Sequence, residues 1–252
     1  MTAHLARQKL GQHFLIRESI LNRIAVAVCP EPCDLVIEIG PGRGALTRKL
    51  LDRASRVIAI EIDPFLAAHL RQHFSGAEGL EVIEQDVLET DLRQWGPAPI
   101  AGNLPYYITS PILGRVLDAH PPRAVFLVQK EVAERLTARP GSRDYGYLTV
   151  RTAFSARVKK LFDVPPAAFY PPPKVDSAVV LIEPHAPPAE IADPDAFLRF
   201  VEHCFRYKRK TLRNNLAGFY DKSALDTLAE SSCRAEQLSI DDFARIFGIL
   251  TA

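Results

Sequence analysis

Between residues 34 and about 130, short apolar runs alternate with stretches whose apolar positions recur every three or four residues. Leu35-Val36-Ile37-Glu38-Ile39 reads as a buried strand, and after a glycine turn Leu46, Leu50 and Leu51 mark one face of a helix. Arg56-Val57-Ile58-Ala59-Ile60 predicts a second strand, and Pro64 opens a helix carrying Phe65, Leu66, Leu70 and Phe74. Further strands are expected at Leu80-Glu81-Val82-Ile83, at Pro99-Ile100-Ala101 and at Ala124-Val125-Phe126-Leu127-Val128. Strands separated by helical stretches predict right-handed βαβ crossovers and a doubly wound, mostly parallel α/β sheet. Two later runs, Arg157 to Val164 and Val175 to Ile182, are expected to add antiparallel strands. The proline-rich segment between them, Pro165 to Lys174, can be neither helix nor central strand, because proline lacks an amide donor and fixes φ. It is expected as a stiff extended loop.

The proline-punctuated stretch from Pro184 to Pro194 reads as a linker. Beyond it the apolar spacing is helical: Phe197, Phe200, Val201, Cys204 and Phe205, then Leu212 and Leu216, Leu225 and Leu228, and Phe243, Ile246 and Phe247. The expected organisation is an α/β domain over residues 1–185 and a small all-helical domain over residues 186–252.

Composition narrows the function classes. The chain has 252 residues, 47% apolar and 24% charged, and no apolar run approaches the ~20 residues that span a bilayer. The start, Met1-Thr2-Ala3-His4-Leu5-Ala6-Arg7, lacks the apolar core of a secretory signal, so the expected location is the cytoplasm. Cys29, Cys33, Cys204 and Cys233 are too few and too scattered for a disulfide scaffold or a zinc site, and are expected as free thiols. The net charge is only +1, but the cations cluster. Arg7, Lys9, Arg17 and Arg23 outnumber Glu18 near the start. Residues 135–160 set seven cations against Asp144, and 206–213 hold Arg206, Lys208, Arg209, Lys210 and Arg213 with no acid. Each run alone suits a solvated face; together they point to a polyanionic partner.

Gly40-Pro41-Gly42-Arg43-Gly44 follows a strand and opens a helix, where glycines permit a tight turn and close ligand approach near a helix N-terminus. Gly40, Gly42 and Ala45 also satisfy the dinucleotide pattern, and Glu61 and Asp63 stand about twenty residues on, where an acid grips a ribose in either case. A nicotinamide dehydrogenase therefore competes at this point. Glu38, just before the turn, suits a cationic cofactor better than a pyrophosphate, and Asp86 in Gln85-Asp86-Val87 can accept from an adenine amino group. Both features favour S-adenosylmethionine.

Asn103-Leu104-Pro105-Tyr106 follows the fourth strand and is the most specific signal. The lone pair of an adenine N6 is delocalised into its ring. An amide oxygen and a backbone carbonyl that accept its two N–H bonds pull the nitrogen toward tetrahedral geometry and stabilise the charge developing during methyl transfer. Proline sets the carbonyl's direction, and the tyrosine can stack on an extruded base. No metal is needed.

These residues resemble the ribosomal RNA adenine-N6 dimethyltransferase family, most closely its bacterial small-subunit branch of the kasugamycin-sensitivity type. The resemblance runs over nearly the whole chain. It includes Gly11-Gln12-His13-Phe14-Leu15, the glycine turn, the tetrapeptide, Gln129-Lys130-Glu131-Val132-Ala133, Asp144-Tyr145-Gly146 and Phe169-Tyr170-Pro171-Pro172-Pro173-Lys174-Val175-Asp176-Ser177. Arg209-Lys210-Thr211-Leu212-Arg213-Asn214-Asn215-Leu216 separates it from the macrolide-resistance relatives that act on large-subunit RNA.

The resemblance implies a class I methyltransferase with a Rossmann-like seven-stranded sheet and a helical C-terminal domain. It implies transfer of four methyl groups from S-adenosylmethionine to two adjacent adenosines near the 3′ end of 16S rRNA, on an immature subunit. The implied catalytic residues are Asn103, Leu104, Pro105 and Tyr106, with Phe169 as the second face of a base sandwich. The implied cofactor residues are His13, Leu15, Glu38, Gly40, Gly42, Glu61, Asp86, Val87 and Asn103; many relatives have Asn in place of His13. Arg206, Arg209, Lys210 and Arg213 are expected on one helix face, holding RNA phosphates. A monomer is expected, without metal or membrane. The alternatives are a macrolide-resistance-type large-subunit enzyme and a small-subunit assembly factor whose catalysis is secondary.

Overall fold

The computed structural model describes residues 13–105, 107–188 and 191–251; Gly11, Gln12 and Tyr106 lie outside the described residues. The described chain divides into two compact units. One runs to Ala133 and resumes over Lys159–Pro184; the other comprises Glu134–Val158 and the chain from His185 onward.

The first unit opens with β1 (Phe14–Leu15) and α1 (Glu18–Val28). Strands and helices then alternate as β2 (Cys33–Ile39), α2 (Ala45–Leu51), β3 (Ala54–Glu61), α3 (Pro64–His73), β4 (Leu80–Glu84), β5 (Ile100–Asn103), α4 (Thr109–Ala119), β6 (Ala124–Gln129) and α5 (Lys130–Leu136). The strands β7 (Ala156–Val164), β8 (Phe169–Tyr170) and β9 (Ser177–Pro184) follow later in the chain. Among the described residues, seven strands form one sheet in the order β4-β3-β2-β5-β6-β9-β7. From β4 to β6 neighbouring strands run parallel, and β9 pairs antiparallel with β6, Ala124 opposite Ile182. Val36, Ile37, Val57, Ile58, Val125, Phe126 and Leu127 are all buried, the unbroken apolar runs of strands covered on both faces. From β2 the chain moves outward to β3 and β4 on one side, and the connection from β4 then crosses back to place β5 on the other side of β2. The carboxyl ends of β2 and β5 therefore flank a switch-point crevice, where open α/β sheets bind ligands.

β1 pairs antiparallel with β8, Phe14 opposite Tyr170 and Leu15 opposite Phe169. The proline-rich segment is thus not extended throughout. Pro166–Ala168 forms a 3-10 turn, and the Ile16 amide donates to the Ala168 carbonyl at 2.9 Å. A proline that begins such a turn forfeits no hydrogen bond, which is why the segment tolerates it.

The second unit contains α6 (Tyr147–Ser155), α7 (Pro194–Cys204), α8 (Leu212–Leu216), α9 (Lys222–Thr227) and α10 (Ile240–Thr251). Its core gathers Phe154, Phe197, Phe200, Leu216, Leu225, Phe243 and Phe247; the Phe197 ring lies 4.8 Å from Phe154 and 5.6 Å from Phe247. The boundary expected between residues 185 and 186 is therefore incomplete: residues 134–158 group with the helical unit, because Tyr145, Val150 and Phe154 belong to its core. A second expectation also changes. Arg206, Arg209, Lys210 and Arg213 do not share one helix, since α7 ends at Cys204 and α8 begins only after Thr211. Like charges at helical spacing repel, and Thr211 Oγ1 accepts the Asn214 amide at 3.4 Å, starting a new helix.

All four cysteines are free, with Cys29 and Cys204 buried. No helix among the described residues is long and apolar enough to cross a membrane.

Candidate active site

The glycine turn carries the chain from the end of β2 into α2. Gly42 has φ +60°, and its amide donates to Glu61 Oε2 at 3.0 Å. A Cβ there would stand 3.1 Å from the Phe14 ring. Gly44, at φ +81°, precedes α2, and a Cβ would approach Phe74 to 2.5 Å. Left-handed backbone and close neighbours both demand glycine.

β3 ends on Glu61, which is buried; its Oε1 accepts the Asp63 amide at 3.0 Å. Burial raises the Glu61 carboxyl above its ordinary pKa, opposed by the backbone donors of Asp63 and Gly42. With its orientation fixed by two amides, the carboxylate can still accept from a diol through its remaining lone pairs. Glu38, near the end of β2, is 1% exposed, and among the described residues its Oε2 has no hydrogen-bond partner. Burial pushes its carboxyl up to about 8, with the Thr47 hydroxyl pulling down and the Glu61 charge pushing up. After β4, Asp86 Oδ1 accepts the Leu88 amide at 2.9 Å, and Val87 is buried.

β5 delivers the tetrapeptide. Asn103 Nδ2 donates to the His13 carbonyl at 2.9 Å, which leaves the amide oxygen as the free end of the side chain. The Leu104 amide donates to the Leu127 carbonyl at 3.1 Å. The Pro105 carbonyl accepts the Ile108 amide at 3.2 Å and Thr109 Oγ1 at 3.1 Å. No donor among the described residues reaches the Leu104 carbonyl. His13 Nδ1 lies 2.8 Å from the Pro171 carbonyl, so that nitrogen carries the proton.

One cleft collects His13, Leu15, Glu38, Gly40, Gly42, Glu61, Asp86, Val87 and Asn103, together with Leu104 and Pro105. Sequence reasoning missed Phe14, Arg43, Ile62 and Tyr107, which also line it. Phe14 lies under the Arg43 guanidinium, 4.7 Å from the ring centroid. Ile62 is 54% exposed, and its place directly after Glu61, the acid expected to hold a ribose, was the available signal.

Two expected site residues sit differently. Phe169 is not among the residues that line the cleft: it is 3% exposed and belongs to the core with Leu15 and Ala168. Its partner in the β1–β8 ladder is Leu15, and the alternation of a strand turns Tyr170 outward instead, 65% exposed. Tyr106 lies outside the described residues. In the second unit, Arg206, Arg209 and Lys210 are exposed, whereas Arg213 pairs with Asp226, its Nη2 donating to Oδ2 at 3.1 Å.

The donor set discriminates between cofactors. A pyrophosphate would oppose ionisation of the buried Glu38 and Glu61, whereas a cation favours it and can pair with the Glu38 oxygen that has no partner among the described residues. The cleft therefore fits S-adenosylmethionine, which is cationic, carries a ribose diol and has no phosphate.

The sequence model of the family described as Ribosomal RNA adenine dimethylase matches residues 3–252. The chain is 44% identical over 257 residues to the Ribosomal RNA small subunit methyltransferase A of Acidobacterium capsulatum, with 97% of this chain and 91% of that protein covered. Among solved structures, a dimethyladenosine transferase from Plasmodium falciparum has a TM-score of 0.77 at 29% identity, covering 93% of this chain and 96% of that one. The 23S rRNA methyltransferase ErmE has a TM-score of 0.73 at 32% identity, covering 95% and 100%.

Proposed function

Because the chain belongs to the ribosomal RNA adenine dimethylase family, we propose that it dimethylates N6 of two adjacent adenosines near the 3′ end of small-subunit rRNA. The proposal includes an immature ribosomal subunit as the substrate particle, a monomeric enzyme and a cytoplasmic location. The small-subunit assignment is supported by the 44% identity to a protein named for that subunit. Likeness to a 23S rRNA methyltransferase keeps a large-subunit adenine as the competing target.

The orientation of Asn103 carries the reading. Its amide nitrogen is committed to the His13 carbonyl, so its oxygen is left as an acceptor at the cleft, with the Leu104 carbonyl, which no donor among the described residues reaches, next to it in the chain. An adenine N6 placed between these oxygens donates both N–H bonds, and its lone pair localises as the nitrogen pyramidalises. The same oxygens stabilise the positive charge that grows on N6 as a C–N bond forms, an effect of ~3–4 kcal/mol per well-placed group. S-adenosylmethionine, when bound, supplies the electrophilic methyl. Glu61 holds its ribose, Asp86 its adenine amino group and Glu38 its cationic end. The methylated nitrogen is acidic and releases its extra proton to water, so no side chain need act as base. Tyr106 is assigned to stack on the extruded base from its place in the tetrapeptide.

The test is mass spectrometry of both rRNAs after incubation of immature subunits with labelled S-adenosylmethionine. Dimethyladenosine at two neighbouring small-subunit positions is expected, and label confined to large-subunit RNA would overturn the assignment. Asn103→Ala should slow single-turnover methyl transfer ~100-fold while cofactor affinity stays within a fewfold.

A further inference from the structure

Aromatic rings from the end of α7, from the loop between α7 and α8 and from the segment after α8 stand together with the loop's Arg206. Tyr207 is 55% exposed and Phe219 43%. The Arg206 guanidinium carbon lies 5.4 Å from the Tyr207 ring centroid and 5.7 Å from that of Phe219. His203 stacks on Phe219, with centroids 3.6 Å apart and planes 8° from parallel. The four side chains thus form a continuous run of flat groups.

The backbone beneath them is held from inside the unit. Asn215 is 4% exposed; its Oδ1 accepts the Tyr207 amide at 3.0 Å, and its Nδ2 donates to the carbonyls of Tyr207 at 3.2 Å and Lys210 at 3.4 Å. Lys208 Nζ donates to the Arg143 carbonyl at 3.0 Å. Burying an amide is costly unless it is paired, and this one is paired wholly with the loop it supports. A solvent-facing loop has no need of such fixing unless its shape is used.

We propose that Tyr207, backed by Arg206 and by Phe219 stacked on His203, forms a stacking subsite for an unpaired nucleobase of the RNA, with Asn215 as the residue that positions it. The inference rests on the RNA-directed reading above and adds a contact to bases. Residues 206–210 hold four cations and no acid, and Arg213, whose charge Asp226 answers, stands outside the set. Cations beside an aromatic face suit a single strand: phosphates take the charge, while every base offers a π-face to a ring or a guanidinium plane. A paired helix hides those faces, so the ligand is a looped-out or single-stranded nucleotide.

The full-length protein can be titrated by fluorescence anisotropy with labelled decaadenylate and with a matched strand whose central bases are removed. Tyr207→Leu with Phe219→Leu should lower affinity for decaadenylate ~10-fold or more, change that for the abasic strand less than twofold, and leave the salt slope unaltered. Tyr207 is 55% and Phe219 43% exposed, and an unchanged circular dichroism spectrum of the double variant checks that the fold survives. Tyr207→Trp with Phe219 intact should preserve affinity, and Asn215→Ala should reproduce the base-selective loss. Decaadenylate affinity within twofold of wild type in the double variant, or an equal loss on the abasic strand, overturns the subsite. Arg209→Gln with Lys210→Gln keeps the two failures apart. If it alone weakens binding and shallows the salt slope, RNA binding by the loop stands and stacking falls; if neither pair matters, RNA binding by this loop falls with it.

Discussion

Glu38→Gln preserves the side chain's shape and removes its titration. In the ligand-free chain, burial raises Glu38 from 4.5 to about 8, so between those values the folded state keeps a proton that the unfolded chain has released. The resulting stabilisation is fully present below pH 4.5 and is lost as pH rises through 8. Integrated from about pH 5.5 to about pH 8.5, the loss is ~3 kcal/mol. The Gln variant lacks this term, so relative to wild type it should gain ~3 kcal/mol over that interval, roughly 6–12 °C in Tm. Trp95 is the chain's one tryptophan and lies in the 3-10 turn Leu92–Trp95 of the first unit, so its emission reports unfolding of the unit that holds Glu38. Saturating S-adenosylmethionine should flatten the wild-type pH dependence, because a cation beside the carboxylate favours its ionised form. An identical Tm difference between variant and wild type at both pH values would refute the argument.

Gly42→Ala forces a side chain into left-handed backbone 3.1 Å from Phe14, and should cost ~1–2 kcal/mol of stability and weaken cofactor binding, read by thermal shift with and without S-adenosylmethionine. Phe197→Ala removes a fully buried ring at the centre of the helical unit and should cost ~3–5 kcal/mol in denaturant unfolding followed by circular dichroism. Arg213→Gln, whose charge is already answered by Asp226, should leave the RNA salt slope unchanged, whereas Arg209→Gln and Lys210→Gln should each shallow it by ~0.7–0.9 in log affinity against log salt.

What the chain's order of residues determined by itself was local. A strand buried on both faces must be an unbroken apolar run, so β2, β3 and β6 were visible as such. A ligand turn between strand and helix needs glycine, and chemistry on an amine needs acceptors at a strand end, so the glycine turn, Glu61, Asp86 and Asn103 could be named before their positions were known. Those residues meet because a parallel sheet aligns its carboxyl ends. What only the tertiary structure decided depends on contacts distant in sequence. The His13 carbonyl sets which end of the Asn103 amide is free, across ninety residues. The β1–β8 ladder sets Phe169 opposite Leu15 and among the core residues, a placement that a phenylalanine before prolines, read as a stacking ring, does not announce. The second core claims residues 134–158, because the apolar face of an amphipathic helix does not specify which core it joins. Loop 206–210 read as a helix because its cations fall at helical spacing. Periodicity counts positions, and it could not register the repulsion between those charges or the buried Asn215 amide that holds their backbone in another shape.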